Sequence, residues 1–500
     1  SLTAEGWQPI TYEWNSNSVL KKMTFKDHIK QFTYYPSTTL LNTATDIDGQ
    51  VTTYEFDELL RLKSIKERSN NVVSNFSYHY KETSGDTYNW VKTTKTFTPT
   101  ANSSLTTLEN KEFVDGLGRG IQSIKIKYSP LQKDIVVKTE YDAKGRVSKV
   151  YNPVESTFNN GTFYTIPGGT PFTLTTYEDA PTNRKKTVTP PSWYASTYTY
   201  SGNSSTDVTN LITGTNYAAN LLNKTEILNP DGNRTLEFTD KLGRKVMDWN
   251  TNVSFSQHSR TYTLYDDKSR ITKIVPPGGT LTTNDLNFDY TYDQSDNILS
   301  KKIPSKAVEK YLYNTRDLKT FFQDGVMLAA NDWIQYEYDD YGRPIQSGKV
   351  TMPNSTPPGA GNVYTYNDVY SQTNYFILPT DGIKLGKLKQ QKDKVLGTSN
   401  TWIDKTFNYD TYGRVSSITG NNYIYNDLTA ETISTTYDFA DNVMTENRTH
   451  KQSANSAQNT TFNKRWTYDH SGRQTDFFTT LNGGVEQKIA NQNYSIKLST

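Results

Sequence analysis

The sequence predicts an all-β chain in which consecutive antiparallel hairpins join into one continuous, strongly curved sheet. Three observations carry that reading. The dipeptide Tyr-Asp occurs seven times, and most copies open the longer sentence Tyr-Asp-x-x-Gly-Arg. Segments on both sides of that sentence read as strands, Thr235-Leu236-Glu237-Phe238 before a turn and Arg146-Val147-Ser148-Lys149-Val150 after one. Helical periodicity is nearly absent over the whole 500 residues. A repeat of this kind states how a chain is built before any single residue states what it does.

Taken in chain order, the copies grade from partial to complete. Asp57 reaches Arg61 with Leu60 in the glycine position, and Asp115 leads to Gly118 and Arg119 without a preceding Tyr. Tyr141-Asp142 leads to Gly145-Arg146, and Asp240 leads to Gly243-Arg244, again without Tyr. Tyr265-Asp266 reaches Arg270 with Ser269 in the glycine position, and in Tyr292-Asp293 the tail becomes Asp296-Asn297. Tyr338-Asp339 leads to Gly342-Arg343, and Tyr409-Asp410 to Gly413-Arg414. Tyr437-Asp438 ends in Asp441-Asn442, and Tyr468-Asp469 closes the series at Gly472-Arg473.

The chemistry of each copy is that of a turn. Asp accepts hydrogen bonds from backbone N–H groups just ahead of it, and Gly supplies a positive φ that a Cβ resists. That suits a type I turn followed by a left-handed residue that forms a bulge. Gly145→Val or Gly413→Val is then expected to destabilise by about 1 kcal/mol or more. A second set of turns punctuates the other end of the unit, at Asp46-Ile47-Asp48-Gly49, Pro230-Asp231-Gly232-Asn233 and Pro277-Gly278-Gly279. One unit is two strands and two turns. The spacing of 27 residues from Tyr265 to Tyr292 gives strands of ordinary length at ~3.3 Å per residue. The best helical candidate, residues 217–222, runs toward a Pro-Asp-Gly turn and reads as strand too.

Composition agrees with a sheet. Hydrophobic content is 34%, too low for a thick aliphatic core, while 36 Tyr and 20 Phe supply amphipathic rings for cross-strand pairs. Such aromatic content argues against disorder. A net charge of +2 steers the chain toward neither nucleic acid nor anionic lipid, and Arg184-Lys185-Lys186 reads as a solvated strand end. No apolar stretch approaches the ~18 residues that span a bilayer as a helix. With no Cys there are no disulfides or thiolate sites. Starting at Ser1 without a signal-like apolar region, the sequence reads as mature or as an excerpt.

The residues of the repeat also carry a resemblance. The chain resembles the YD-repeat, or RHS-repeat, proteins, whose signature is Tyr-Asp-x-x-Gly-Arg with an upstream Asp-x-x-Gly turn, and the match runs from about Asp46 to Arg473. The run from Phe113-Val114-Asp115 to Gly118-Arg119, followed by Ile121-Gln122, is similar to RHS proteins of bacteria that use a type IX secretion route. The resemblance implies hairpins winding into a β-spiral that forms a hollow shell or part of one. Bacterial members enclose a C-terminal toxin or effector; animal relatives present the module outside the cell for adhesion. On this reading residues 1–45 are strands leading into the repeats, 46–473 are the array, and 474–500 continue the shell. Residues 483–500 show neither an Asp-Pro-rich autoproteolysis motif nor an effector.

A catalytic or metal centre is not expected. The five His residues, His28, His79, His258, His450 and His470, never fall within four residues of one another, and His470 reads as an exposed turn residue. Nucleophile-elbow and phosphate-loop motifs are missing from the sequence. Asp46-Ile47-Asp48-Gly49 fits a hairpin turn better than a calcium loop, because its Gly follows too soon. Carboxylate pairs for glycoside hydrolysis stay open among 52 acidic residues. The candidate residues are therefore the turn residues: Asp115, Gly118, Arg119, Asp142, Gly145, Arg146, Asp240, Gly243, Arg244, Asp339, Gly342, Arg343, Asp410, Gly413, Arg414, Asp469, Gly472 and Arg473. Repeated Tyr and Arg invite glycan stacking, but residues that recur in every unit favour a structural role.

The leading expectation is a non-enzymatic shell, without cofactor, of a secreted or cell-surface bacterial protein. Its partner is the protein's own C-terminal effector or toxin, not in this chain, with secretion machinery or surface proteins as further partners, and neither nucleic acid nor membrane insertion. The alternative is an adhesion or carbohydrate-binding module. In a container, Phe288, Tyr290 and Tyr292 are expected to face the lumen, leaving Asn287, Asp289 and Thr291 for solvent.

Overall fold

The computed structural model describes residues 10–494 apart from residues 27, 81–87, 101–102, 253, 255–257, 283–284, 354–355, 396–400, 425–426, 452–458 and 493. Residues 1–9 and 495–500, the outer parts of the two terminal segments, lie outside the described residues. The described chain forms one sheet of 36 strands with very little helix.

Each strand pairs antiparallel with the next in sequence, from Ile10–Trp14 on Leu20–Phe25 to Gln474–Leu481 on Gln487–Asn491. One departure occurs. Ile135–Tyr141 divides its edge between Val147–Tyr151 and the short Val154–Glu155, and Val147–Tyr151 then pairs with Phe172–Tyr177. Among the described residues no ladder joins the first strand to the last, so the sheet is not closed. Because the other strands of the described chain pair antiparallel with the next in sequence, the turns collect on two opposite rims. The Asp-x-x-Gly-Arg turns line one rim, and the Asp46–Gly49 type of turn lines the other.

The two rims use one backbone device. Asp142 N–H donates to Arg146 O and Gly145 N–H to Asp142 O; on the opposite rim Asn229 N–H donates to Asn233 O and Gly232 N–H to Asn229 O. The bulge falls where the strand meets the turn, with a register shift between Glu140 and Tyr141 and again between Asn408 and Tyr409. Repeated bulges raise the local twist, which curves the sheet in one sense.

A single-layer sheet has no second layer to bury its apolar face, so long turns supply one. The turn at 152–171 folds back so that Phe163, Tyr164 and Ile166 cover Phe113, Ile124 and Val136. Val208 and Leu222, from the turn at 203–222, pack on Leu236, Phe238 and Met247. Tyr364 and Tyr366 pack on Phe321, Trp333 and Val350. Two of these flaps are tied down in the same way. Gln122 donates from Nε2 to Tyr164 O and accepts from Tyr164 N–H, and Gln335 does the same with Tyr364. Each buried amide side chain thus stands in for one missing strand neighbour.

Three sequence readings are corrected. Residues 217–222 are not a strand: they end a turn in which the Asn203 side chain accepts from Leu222 N–H and donates to Ala218 O. Asn287 is not left to solvent but fully buried, its Nδ2 donating to Thr280 O. Asp289 is half-buried and paired with Lys273 at 2.5 Å, while Thr291 is exposed. Phe288, Tyr290 and Tyr292 are half-buried. A short helix, Gly325–Leu328, escaped the sequence reading; Asp324 caps it, accepting from the N–H groups of Val326 and Met327.

Candidate functional site: the repeat turns and the seam between windings

In each complete copy one carboxylate does three things. Asp142 Oδ1 accepts the N–H of Lys144 and of Arg146, both at 2.9 Å, while Oδ2 receives Arg146 Nε at 2.8 Å. The same three bonds recur at Asp115 with Arg119, Asp240 with Arg244, Asp339 with Arg343, Asp410 with Arg414 and Asp469 with Arg473. Gly118, Gly145, Gly243, Gly342, Gly413 and Gly472 have φ between +76° and +81°. The decayed copies keep that backbone at a higher cost: Leu60, Ser269, Asp296 and Asp441 are also left-handed. Where Arg is replaced, Asn297 and Asn442 donate to Asp293 and Asp438 in its stead.

The Tyr then couples one repeat to the one before. Tyr141 O–H donates to Gly120 O, the residue after Arg119, and the Arg119 guanidinium sits 4.5 Å over the Tyr141 ring. Tyr177 with Val147 and Arg146, Tyr265 with Lys245 and Arg244, Tyr292 with Ile271 and Arg270, and Tyr437 with Val415 and Arg414 repeat the arrangement. Several of these Arg residues also reach forward to the next turn, Arg270 to Asp293 O at 2.7 Å and Arg146 to Glu178 O at 3.1 Å. Asp, Gly, Arg and Tyr are one clamp, written once per hairpin.

The clamp fixes a pH window. The Arg119 guanidinium holds Asp115 below its ordinary 3.8; at Asp142 the Arg146 backbone N–H acts first and the guanidinium second. At Asp240 and Asp469 burial pushes upward, but bonds from Arg244 and Arg473 outweigh it. Beside the clamp, the bond from Lys138 leads those that pull Glu140 down to about 2 against its burial. Burial raises the phenols of Tyr265, Tyr409, Tyr437 and Tyr468 above 10.0. Depressed carboxylates stabilise the fold above their unfolded pKa and lose that contribution as pH falls through the folded one; raised phenols stabilise it below theirs and lose it as pH rises. The urea midpoint is therefore expected to be flat from about pH 5 to about pH 9 and to fall on both sides. A midpoint already dropping between neutrality and pH ~5 would contradict this assignment.

Contacts of much longer range join the two rims. Lys26 pairs with Asp340, and Tyr341 stacks on His28 with centroids 4.2 Å apart. Gln50 donates to Thr411 O and Lys387 faces Asp48 at 3.6 Å. Arg68 donates to Phe439 O and pairs with Asp441 at 2.6 Å, and Asn71 donates to the Tyr412 hydroxyl. Ser104 N–H donates to Tyr468 O, while His470 Nε2 lies 2.6 Å from Lys127 O and Ser471 donates to Tyr128 O. An apolar cluster of Val72, Phe97 and Leu105 with Phe439 and Ala440 fills the middle.

All of these contacts set the second-type turns of residues 26–128 against Asp-turns and their neighbours in residues 340–473, and both sets advance together. The sequence separations run from 313 residues for His28 with Tyr341 to 373 for Arg68 with Asp441. This is the seam of a spiral, where a later winding lies on an earlier one. His470 is accordingly half-buried in the seam rather than an exposed turn residue. Asp46 and Asp48 belong to a hairpin turn and face Lys30 and Lys387.

Among the described residues no group of three or more His, Asp or Glu is placed to hold a metal ion. No helix among them is long and apolar enough to cross a membrane. The predicted turn residues lie in turns spread along one rim of the sheet.

Residues 86–205 match the profile of a domain of unknown function, DUF6443. No curated protein matches the chain. Among solved structures the chain is similar to TcdB2-TccC3, at 14% identity and a TM-score of 0.70, covering 97% of this chain and 26% of that one. It is similar to TcdB2-TccC3 without its hypervariable C-terminal region, at 13% identity and 0.69, covering 97% and 28%. The Photorhabdus luminescens Tc holotoxin pore with a TccC3 mutation gives 13% identity, 0.69, 97% and 28%. The chain spans about a quarter of the length of these structures. At such identities the likeness is one of fold: the sheet has the architecture of the Tc toxin shell, as the resemblance to YD/RHS-repeat proteins implied.

Proposed function

We propose that this chain is a stretch of non-enzymatic wall in a secreted bacterial YD/RHS-repeat protein that encloses or presents a C-terminal toxin or effector. The observation that carries the reading is the seam: one continuous sheet returns onto itself, so its curvature makes a wall rather than a ribbon. Support comes from the similar TcdB2-TccC3 structures, one of which is described as being without a hypervariable C-terminal region. Its mechanism is confinement. The clamp residues fix the curvature, and the enclosed segment is kept from solvent and proteases until delivery. Residues 1–45, 46–473 and 474–500 then act as entry, array and continuation of one wall.

The test uses the protein encoded by the complete gene. Limited proteolysis with mass spectrometry is expected to leave the segment after the repeats intact while the wall is folded, and to degrade it once urea opens the wall. A C-terminal segment cut as fast in the native protein as in urea overturns the container reading. The alternative adhesion reading has one observation of its own, the exposed Trp193 and Tyr194 beside a cleft of about 530 Å³ lined by Tyr151, Phe172 and Pro190. Saturable quenching of Trp193 fluorescence by soluble glycans, lost in Trp193→Ala, would favour it.

A further inference from the structure

The turn that joins Gly120–Ile126 to Ile135–Tyr141 touches both the seam and a flap, and one residue carries both contacts. Lys127 has a φ of +53°, a left-handed backbone that an L side chain rarely adopts unless something holds it. Its N–H donates to Asp134 Oδ1 at 2.9 Å, and its carbonyl oxygen lies 2.6 Å from His470 Nε2 across the seam. That oxygen can only accept, so Nε2 carries the proton. Beside it Ser471 donates to Tyr128 O at 3.1 Å, and the Arg473 guanidinium stands 5.3 Å from the Tyr128 ring. The later winding thus holds Lys127 and Tyr128 from across the seam.

On its other side the same turn holds the flap at 152–171. Asp134 is fully buried, and its Oδ2 accepts Gly161 N–H at 2.8 Å. Its backbone N–H donates to Phe158 O, and its carbonyl accepts Ser156 N–H. Gly161, with a φ of +73°, lies so close on Ile126 that a Cβ there would have no room. Two and three residues on, Phe163 packs on Phe113 and Tyr164 is clipped by Gln122. A continuous chain of bonds therefore runs from His470 through Lys127 and Asp134 to Gly161. The N–H and C=O of one residue fix its φ and ψ between them, so Lys127 keeps both partners only in the left-handed form. Losing either partner lets it relax, and the relaxed residue aims its other group away. A cleft of about 350 Å³ lined by Ile126, Gln132, His470 and Ser471 gives the turn room to move.

We propose that Lys127 is a latch between the seam and this flap. Contact with the later winding at His470 locks the flap over Phe113, Ile124 and Val136, and opening the seam there releases it. The second layer of this part of the sheet is then completed only when the spiral has made its turn. Two elements far apart in sequence become one cooperative unit through a residue that has two discrete backbone states. The latch rests on the seam and not on enclosure of an effector, so its failure leaves the container reading standing.

Hydrogen exchange of the purified chain, read at single amides by fragmentation mass spectrometry, tests it. His470→Ala is expected to speed exchange of the Gly161 and Tyr164 amides about tenfold, the equivalent of one lost hydrogen bond. Ser471→Ala, which removes only the bond to Tyr128 O, is expected to give a smaller rise at the same amides. The Tyr364 amide, held by Gln335 in the flap on Asp332–Tyr338, is expected to keep its wild-type rate in both variants. Lys127→Gly supplies the decisive arm, because glycine is left-handed without strain and no longer needs holding. In that background His470→Ala is expected to change the two amides by less than about twofold. Unchanged flap exchange in both seam variants, an equal rise at Tyr364, or an undiminished effect in the Lys127→Gly background would each overturn the proposal.

Discussion

Phe238→Ala is expected to lower stability by about 3–5 kcal/mol, read as a shift of the urea midpoint. Phe238 is fully buried between the strands and the flap at 203–222, touching a cluster that includes Val208, Leu222 and Met247. Removing the ring leaves a cavity that a flap anchored by Asn203 cannot easily close. Phe462, on a strand of the same type but 41% exposed, sets the comparison. Its truncation is expected to change stability by less than about 1 kcal/mol. Equal effects at the two sites would mean that the flaps do not act as a second layer.

Asp410→Ala is expected to cost about 2–3 kcal/mol, against a few tenths for an exposed carboxylate elsewhere. The change leaves the N–H groups of Tyr412 and Arg414 without their acceptor and removes the Arg414 ion pair at 2.7 Å. It also loosens the seam, because Tyr412 meets Asn71 and Thr411 meets Gln50 across it. Asp142→Ala breaks the same three local bonds in a turn outside those seam contacts. The smaller loss expected there isolates the seam's share, and a larger loss at Asp142 would contradict the account.

The architecture was legible because the repeat is written in turn chemistry. Asp with Gly four residues into a loop names a turn wherever it occurs, and alternation on both sides names the strands. Even the decayed copies were readable, since Ser269, Asp296 and Leu60 keep the left-handed backbone that Gly makes easy. Flaps were not legible: Gln122 and Gln335 look like ordinary polar strand residues until Tyr164 and Tyr364 arrive from distant loops. Asn287 differs from its sequence reading for the same reason, as strand alternation assigns a face but does not reveal that Thr280 O returns to accept from the amide nitrogen.

The seam was invisible for a different reason. Its pairs lie 313 or more residues apart and follow from accumulated twist, which no local motif encodes. Tyr341, Tyr412 and Phe439 did carry a faint signal. Aromatics occupy the variable turn positions of the later copies, where the earlier ones have Glu58, Leu117 and Lys144. Turn tips are ordinarily polar, so rings there mark a surface that something covers.

The central claim, that one winding of the sheet lies on another, is tested most directly by zero-length carbodiimide coupling of the native chain followed by peptide mass spectrometry of the monomer fraction. The account predicts isopeptide links between Lys26 and Asp340 and between Lys387 and Asp48, pairs that only the seam brings together. Links between Lys138 and Glu140 and between Lys464 and Glu446, which need only local strand pairing, serve as the internal standard. Recovery of the local links without either seam link would show a sheet that does not return onto itself, and would contradict the spiral wall.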